Sequence, residues 1–304
     1  MTGRLQILLP THNGERFLPE LLDSLSSQTY PEVLVSIRDD CSTDGTYSLL
    51  SAWAADRTNV SLSAGENLGA IKSFFYLLQN AGSDCKYFAF CDQDDVWLPD
   101  KVERAVAALG RYGCDEAAMY CSRFEYVDEG LKHLGYSKIP KRPGFANALV
   151  ENIAPGCTVV LNRRARDILC ERLPHNVPPH DWWCYLTLSA LGKVIYDERP
   201  TIKYRQHAKN HTGGTPSPWE LIRRRRARFL QQQEGTRLLS DQALEFKRCF
   251  GDLLSEQDGN ILERFLSVRG SFGERVSYNA VMDVRRQTWS DTMILRALIL
   301  MGRA

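Results

Sequence analysis

Short apolar runs alternate with amphipathic stretches through the first 122 residues. The runs are LQILL (5–9), VLVSI (33–37), VSLS (60–63), KYFAFC (86–91) and AAMYC (117–121); the stretches at 15–28, 44–55, 69–80 and 99–110 repeat apolar residues at helical spacing. Such alternation predicts an α/β fold, a mostly parallel sheet flanked by helices. Ligands of such sheets bind at the carboxyl ends of the strands. Polar clusters fall at those ends: PTHNG (10–14), RDDCSTDG (38–45), GENLG (65–69) and DQDD (92–95). All four therefore converge on one edge.

The pattern weakens over 123–155, where Gly, Pro and Lys are scattered through GLKHLGYSKIPKRPG, and this predicts a surface excursion or mobile loop. GCTVVLNRRARDIL (156–169) resumes a strand and a helix. DWWCYLTLSALG (181–192) has helical length with Asp181 in its first turn, and KVIYDERPTIKYRQH (193–207) reads as two strands. The loop chemistry of AKNHTGGTPSP (208–218) closes a first domain, residues 1–216. Residues 217–304 read as a helical, basic extension.

Composition narrows the options. At 304 residues, 43% apolar and 25% charged, the chain is ordinary globular material, and a net charge of +1 argues against wholesale nucleic-acid binding. The charge is uneven: residues 1–216 carry 23 Lys and Arg against 26 Asp and Glu, and residues 217–304 carry 15 against 11. Nine scattered cysteines without a C-x-x-C pair suit reduced thiols in the cytoplasm better than disulfides or zinc. The N-terminal apolar run is too short for a signal peptide, and MILRALILMG is broken by Arg296, so any membrane contact is expected to be peripheral.

The densest chemistry is DQDD. In an extended segment Asp92 and Asp94 share one side and Asp95 takes the other. Two carboxylates about 4 Å apart repel by about 1 kcal/mol in water and about 4 kcal/mol at an effective dielectric of 20, so a half-buried pair calls for a cation. The competing reading is a solvated acidic turn whose Asp95 caps a helix beginning near Pro99.

Six pieces in order, PTHNG, DDCSTDGT, ENLG, DQDDVWLPDK, HDWW and YRQHAKN, resemble the inverting family 2 glycosyltransferases of GT-A fold, in particular a bacterial rhamnosyltransferase-like subgroup, over residues 5–215. The resemblance implies that the D-x-D carboxylates hold Mn²⁺ or Mg²⁺ against the diphosphate of a nucleotide sugar, with Asp94 as the direct ligand, Asp92 on the ribose or a metal-bound water, and His207 as a further ligand. It puts Thr11, His12 and Asn13 at the base, Asp40 at the base or ribose, and Asn67 and Lys72 at the ribose and diphosphate. Arg205 and Lys209 are further diphosphate candidates. By default Asp44 and Asn67 are also helix caps. Asp181 matches the general base that takes the acceptor's proton. Trp182 and Trp183 would desolvate it or stack on an acceptor sugar. The loop 128–145 is placed near the acceptor.

The same resemblance implies dTDP-rhamnose as the best-matched donor, with UDP-linked sugars open, and a glycan or lipid-linked glycan acceptor of bacterial surface polysaccharide, O-antigen or capsule. It places the protein in the cytoplasm, at the inner membrane face. There RRRRAR (223–228) would contribute about 1 kcal/mol per basic residue to peripheral contact. Three other readings stand beside it. YFAFCDQDDV also fits a haloacid-dehalogenase-type phosphatase with Asp92 as nucleophile, Asp94 as acid/base and GDLLSE (251–256) as a late acidic motif. A nucleotide-sugar-binding module without turnover needs no base at Asp181. A nucleotidyltransferase would need a Gly-rich, Arg-bearing loop where PTHNG stands.

Overall fold

The computed structural model describes residues 3–175, 179–207 and 238–304. Strand β1 (Leu5–Thr11) is followed by α1 (Leu18–Ser26), β2 (Val33–Asp39), α2 (Thr46–Ala54), β3 (Val60–Ala64), α3 (Ala70–Gln79), β4 (Tyr87–Phe90), β5 (Val96–Trp97) and α4 (Lys101–Leu109). Then come β6 (Ala118–Ser122), β7 (Glu125–Val127), β8 (His133–Tyr136), the short α5 (Phe145–Ala148), β9 (Val160–Asn162), α6 (Arg163–Glu171), α7 (His180–Leu191), β10 (Lys193–Asp197) and β11 (Ile202–Arg205). The last four helices are α8 (Leu238–Phe250), α9 (Glu256–Leu266), α10 (Phe272–Ala280) and α11 (Trp289–Leu300).

The large sheet runs β10-β6-β9-β4-β1-β2-β3. Its pairs are parallel except at β9, which lies antiparallel between β4 and β6. Alternation along the strands splits the core in two. Leu5, Ile7 and Leu9 pack with α1 and α4 on one face, whereas Leu8, Phe88 and Phe90 pack with α3, α6 and α7 on the other. The second cluster continues without a break into Phe246, Phe250, Phe265 and Leu295 of the C-terminal helices.

The stretch 123–155 is not a plain loop. It contributes β7, β8 and α5, and the first two join β5 and β11 in a second, four-stranded sheet ordered β5-β11-β7-β8. These strands are two to four residues long and draw their stability from distant partners, so no local periodicity announces them.

Candidate active site

The second sheet builds the acidic rim. β5 pairs antiparallel with β11, Trp97 opposite Ile202 and Val96 opposite Lys203, so the residues before β5 meet the residues after β11. His207 Nε2 thereby lies 2.7 Å from Asp94 Oδ2, 113 positions away in sequence. Arg205 holds the turn together: its backbone N–H donates to Asp95 Oδ1 at 3.1 Å and its Nε to the Asp94 carbonyl at 2.9 Å. Phe17 stacks on the His207 ring at 5.0 Å and lies 4.8 Å from the Arg205 guanidinium.

Two expectations fail here. Asp95 is fully buried and accepts from Arg205, while α4 starts later, at Lys101. It is a buried acceptor that anchors the turn, not a cap, and burial, with the charges of Asp94 and Asp92, holds its carboxyl well above the usual carboxylate range. Arg205 is 1% exposed with its guanidinium tied to backbone carbonyls, so it shapes the rim and does not face a diphosphate. The chain also turns within the cluster, so Asp92 and Asp95, not Asp92 and Asp94 alone, come together, with the thiol of Cys157; their ligand atoms lie within 4.8 Å of one another. Burial pushes the Asp92 carboxyl up to about 7, and the charges of Asp94 and then Asp181 add to it. Beneath them Lys101 is buried, donates to the Cys157 carbonyl at 2.6 Å and sits 4.2 Å from the Trp97 ring centroid; burial brings its pKa down to about 8.

The loops expected to hold the donor lie at the ends of β1, β2 and β3. His12 Nδ1 meets the Asp40 carbonyl at 2.8 Å, and the side-chain nitrogens of Asn13 and Asn67 reach the same ring at 3.2 and 3.3 Å. Asn13 has φ +50°, a left-handed conformation that Asn tolerates, and its side-chain oxygen accepts from the Thr43 N–H at 2.8 Å. Asn67 accepts from Gly69 N–H just ahead of α3, and Asp44 accepts from Thr46 N–H at the start of α2. Lys72 is exposed on α3. Gln93, which the sequence reading passed over, clamps the His12 backbone, accepting its N–H at 2.9 Å and donating to its carbonyl at 3.0 Å. Its place inside DQDD was the available signal.

Thr11 and Asp40 do not join this exposed group. The Thr11 hydroxyl is buried and donates to Asp39. The Asp40 carboxylate is 2% exposed, paired with Arg38 and accepting from Ser73, because a buried charge needs a counterion and hydrogen bonds. Neither side chain is open to a nucleoside. What Asp40 offers is its carbonyl, which orients His12.

The base candidate stands on α7. Asp181 accepts from the Gly156 N–H at 3.2 Å and from the Trp182 N–H at 2.7 Å. Gly156, which it holds, is followed by Cys157, whose thiol sits with Asp92 and Asp95, so the start of α7 faces the acidic rim. His180 is sandwiched between Phe74, stacked at 4.0 Å, and Phe90, edge-on at 4.9 Å. Burial lowers its pKa to about 4, and its Nε2 is buried with no hydrogen-bond partner among the described residues. A Cβ on Gly156 would come 2.6 Å from that nitrogen, so only glycine allows the approach that brings the residue 156 N–H to Asp181. Trp182 donates its indole N–H to the Ala148 carbonyl at 2.6 Å. Trp183 corrects the sequence expectation: it is fully buried among Phe246 and Phe250 and is core, not an acceptor platform.

Asp92, Asp94 and His207 offer carboxylate oxygens and an imidazole nitrogen, a donor set that fits Mn²⁺ or Mg²⁺, and the Asp92 carboxyl, raised first by burial and then by the charges of Asp94 and Asp181, is one that a cation would favour in its ionised form. Among the described residues no helix is long and apolar enough to cross a membrane. RRRRAR and Lys209 lie outside the described residues.

The model of the family described as Glycosyl transferase family 2 matches residues 6–166, more than half of the chain. The chain belongs to glycosyl transferase family 2. This family 2 enzyme is similar to the dTDP-rhamnosyl transferase RfbG of Shigella flexneri, 29% identical over 221 residues that cover 69% of this chain and 75% of that one. Against an uncharacterized glycosyltransferase of Rickettsia typhi the identity is 23% over 212 residues, 67% of this chain and 64% of that one. Its fold is that of the crystal structure of S. aureus TarS 1–349, with a TM-score of 0.58, 17% identity, 99% of this chain and 80% of that one covered. The mannosyltransferase PcManGT from Pyrobaculum calidifontis, solved with GDP-Man and Mn²⁺, gives 0.56 at 18% identity, covering 100% and 86%. Membership removes the phosphatase reading, and the coordinates agree: DQDD closes the fourth strand, while GDLLSE forms a 3₁₀ turn and the lead into α9.

Proposed function

We propose that this glycosyltransferase moves a sugar, best matched by rhamnose from dTDP-rhamnose with UDP as the competing carrier, to a hydroxyl of a glycan or lipid-linked glycan acceptor, inverting the anomeric carbon, in bacterial surface polysaccharide synthesis. The observation that carries the reading is the 2.7 Å approach of His207 to Asp94 on the rim that Asp181 reaches through Gly156 and Cys157. A divalent cation held by Asp94 and His207 would neutralise the departing diphosphate. The chain's own groups do the rest. His12, Asn13 and Asn67 form the shelf on which the nucleoside lies, and Lys72 stands in the first turn of α3 to meet phosphate. Asp92 receives the ribose or a water next to the cation. Asp181, aimed by two N–H groups, takes the acceptor hydroxyl's proton as that oxygen bonds to the anomeric carbon and the bond to the diphosphate breaks. Trp182 covers the acceptor side of the carboxylate. The RRRRAR stretch is assigned to peripheral contact with an anionic membrane; replacing its arginines by glutamine should abolish co-sedimentation with anionic vesicles.

Calorimetric titration of dTDP and of UDP, each with and without Mn²⁺, tests the reading. Metal-dependent binding that prefers one nucleotide supports it and names the carrier. Failure of both nucleotides to bind in the presence of Mn²⁺ contradicts it.

A further inference from the structure

The segment between α10 and α11 lies across residues 141–151 like a strap. Gln287 spends its whole side chain there: Oε1 accepts the N–H groups of Lys141 and Arg142 at 2.7 and 3.1 Å, and Nε2 donates to the Arg142 carbonyl and to Asn147 Oδ1 at 3.1 and 3.0 Å. Its backbone N–H donates to Glu151, and Arg286 Nε donates to the Val150 carbonyl at 3.0 Å. Asn147, 5% exposed, donates to the Arg285 carbonyl and accepts from the Tyr185 hydroxyl of α7 at 3.0 Å. One residue on, the Ala148 carbonyl receives the indole of Trp182, neighbour of Asp181.

We propose that Gln287 is a positioning residue for the acceptor side of the active site: by fixing residues 141–151 it fixes α5, and through Ala148 and Asn147 it sets the first turn of α7, and so the aim of Asp181. The half-buried Gln287 satisfies all four of its hydrogen-bonding positions on one distant segment, and that segment carries Asn147 and Ala148, the partners of Tyr185 and Trp182 that tie α7 to α5. The inference rests on Asp181 being the base.

The test compares the full-length protein with Gln287→Met and Trp182→Phe, which cut the two ends of this connection, and with the double variant. Hydrogen exchange should quicken in Gln287→Met both at 141–151 and at the first-turn amides of α7. Exchange confined to Lys141 and Arg142 overturns the proposal. Release of free nucleoside diphosphate from dTDP-rhamnose or UDP-linked sugars, with water as acceptor, should fall about tenfold or more in kcat, while calorimetric binding of dTDP or UDP with Mn²⁺ stays within twofold. The double variant should be no slower than the worse single variant, because both cut one path. Multiplicative losses, or equal losses in kcat and in nucleotide binding, overturn it. A wild-type chain that binds neither nucleotide fails the functional reading itself, whereas an active wild type with an unchanged Gln287→Met fails only the strap.

Discussion

The two walls proposed for the site, one for the donor and one for the base, are built in opposite ways. The donor wall consists of loops at strand ends tied to one another by side-chain-to-backbone bonds, His12 to Asp40 in part-buried surroundings, and Asn13 to Thr43 and Gln93 to His12 in exposed ones. The base wall is a helix whose next turns, Trp183 to Leu188, are buried in an aromatic core continuous with the C-terminal helices. Loop walls adapt to a ligand at small cost. A wall inherited from the core holds one geometry and passes on every defect in its packing.

That contrast predicts a graded set of effects. Replacing Asp181 by Asn should lower kcat by about 10²–10⁴-fold with dTDP or UDP binding unchanged, since it removes the proton acceptor and leaves the donor wall intact; equal loss of nucleotide affinity would blur the two walls into one. Phe246, fully buried between Phe145 of α5 and Trp183 of α7, should cost about 3–5 kcal/mol on truncation to Ala, read by urea unfolding, and should slow catalysis more than it weakens nucleotide binding. His180 makes the base wall sensitive to acid. Its folded pKa of about 4 lies below the ordinary 6.5, so the unfolded chain binds its proton first as pH falls. Its contribution is present above pH 6.5 and is lost towards pH 4, about 2–3 kcal/mol between pH 7.5 and 4.5; His180→Phe should lose that much less over the same range. The smallest effect belongs to the donor wall: Asn67→Ala should weaken nucleotide binding by about 1 kcal/mol, a few-fold in Kd, with the unfolding midpoint nearly unchanged.

The same contrast decides what could be read from the residues alone. Strand-helix alternation and the polar clusters at strand ends are local, so β1 to β4, the four donor loops and the helical start at Asp181 follow from period and turn chemistry. The rim closed by β5 and β11 does not. Its strands have two and four residues, and the meeting of Asp94 with His207 came from the family resemblance; the pairing of Val96 with Lys203 explains it. Asp95 and Trp183 were misplaced for one reason. Local preference makes an aspartate before a helix a cap and a tryptophan beside a base a sugar platform, whereas tertiary packing buries the first under Arg205 and the second against α8. Gln287 carries no motif, and only the folded chain brings it to residue 141.

Anomalous scattering at the manganese edge, from crystals grown with Mn²⁺ and whichever of dTDP or UDP binds, tests the central claim most directly. The expected result is a manganese peak within coordination distance of Asp94 and His207, next to the bound diphosphate. A peak at another site, or a diphosphate bound with no manganese beside Asp94, would contradict it.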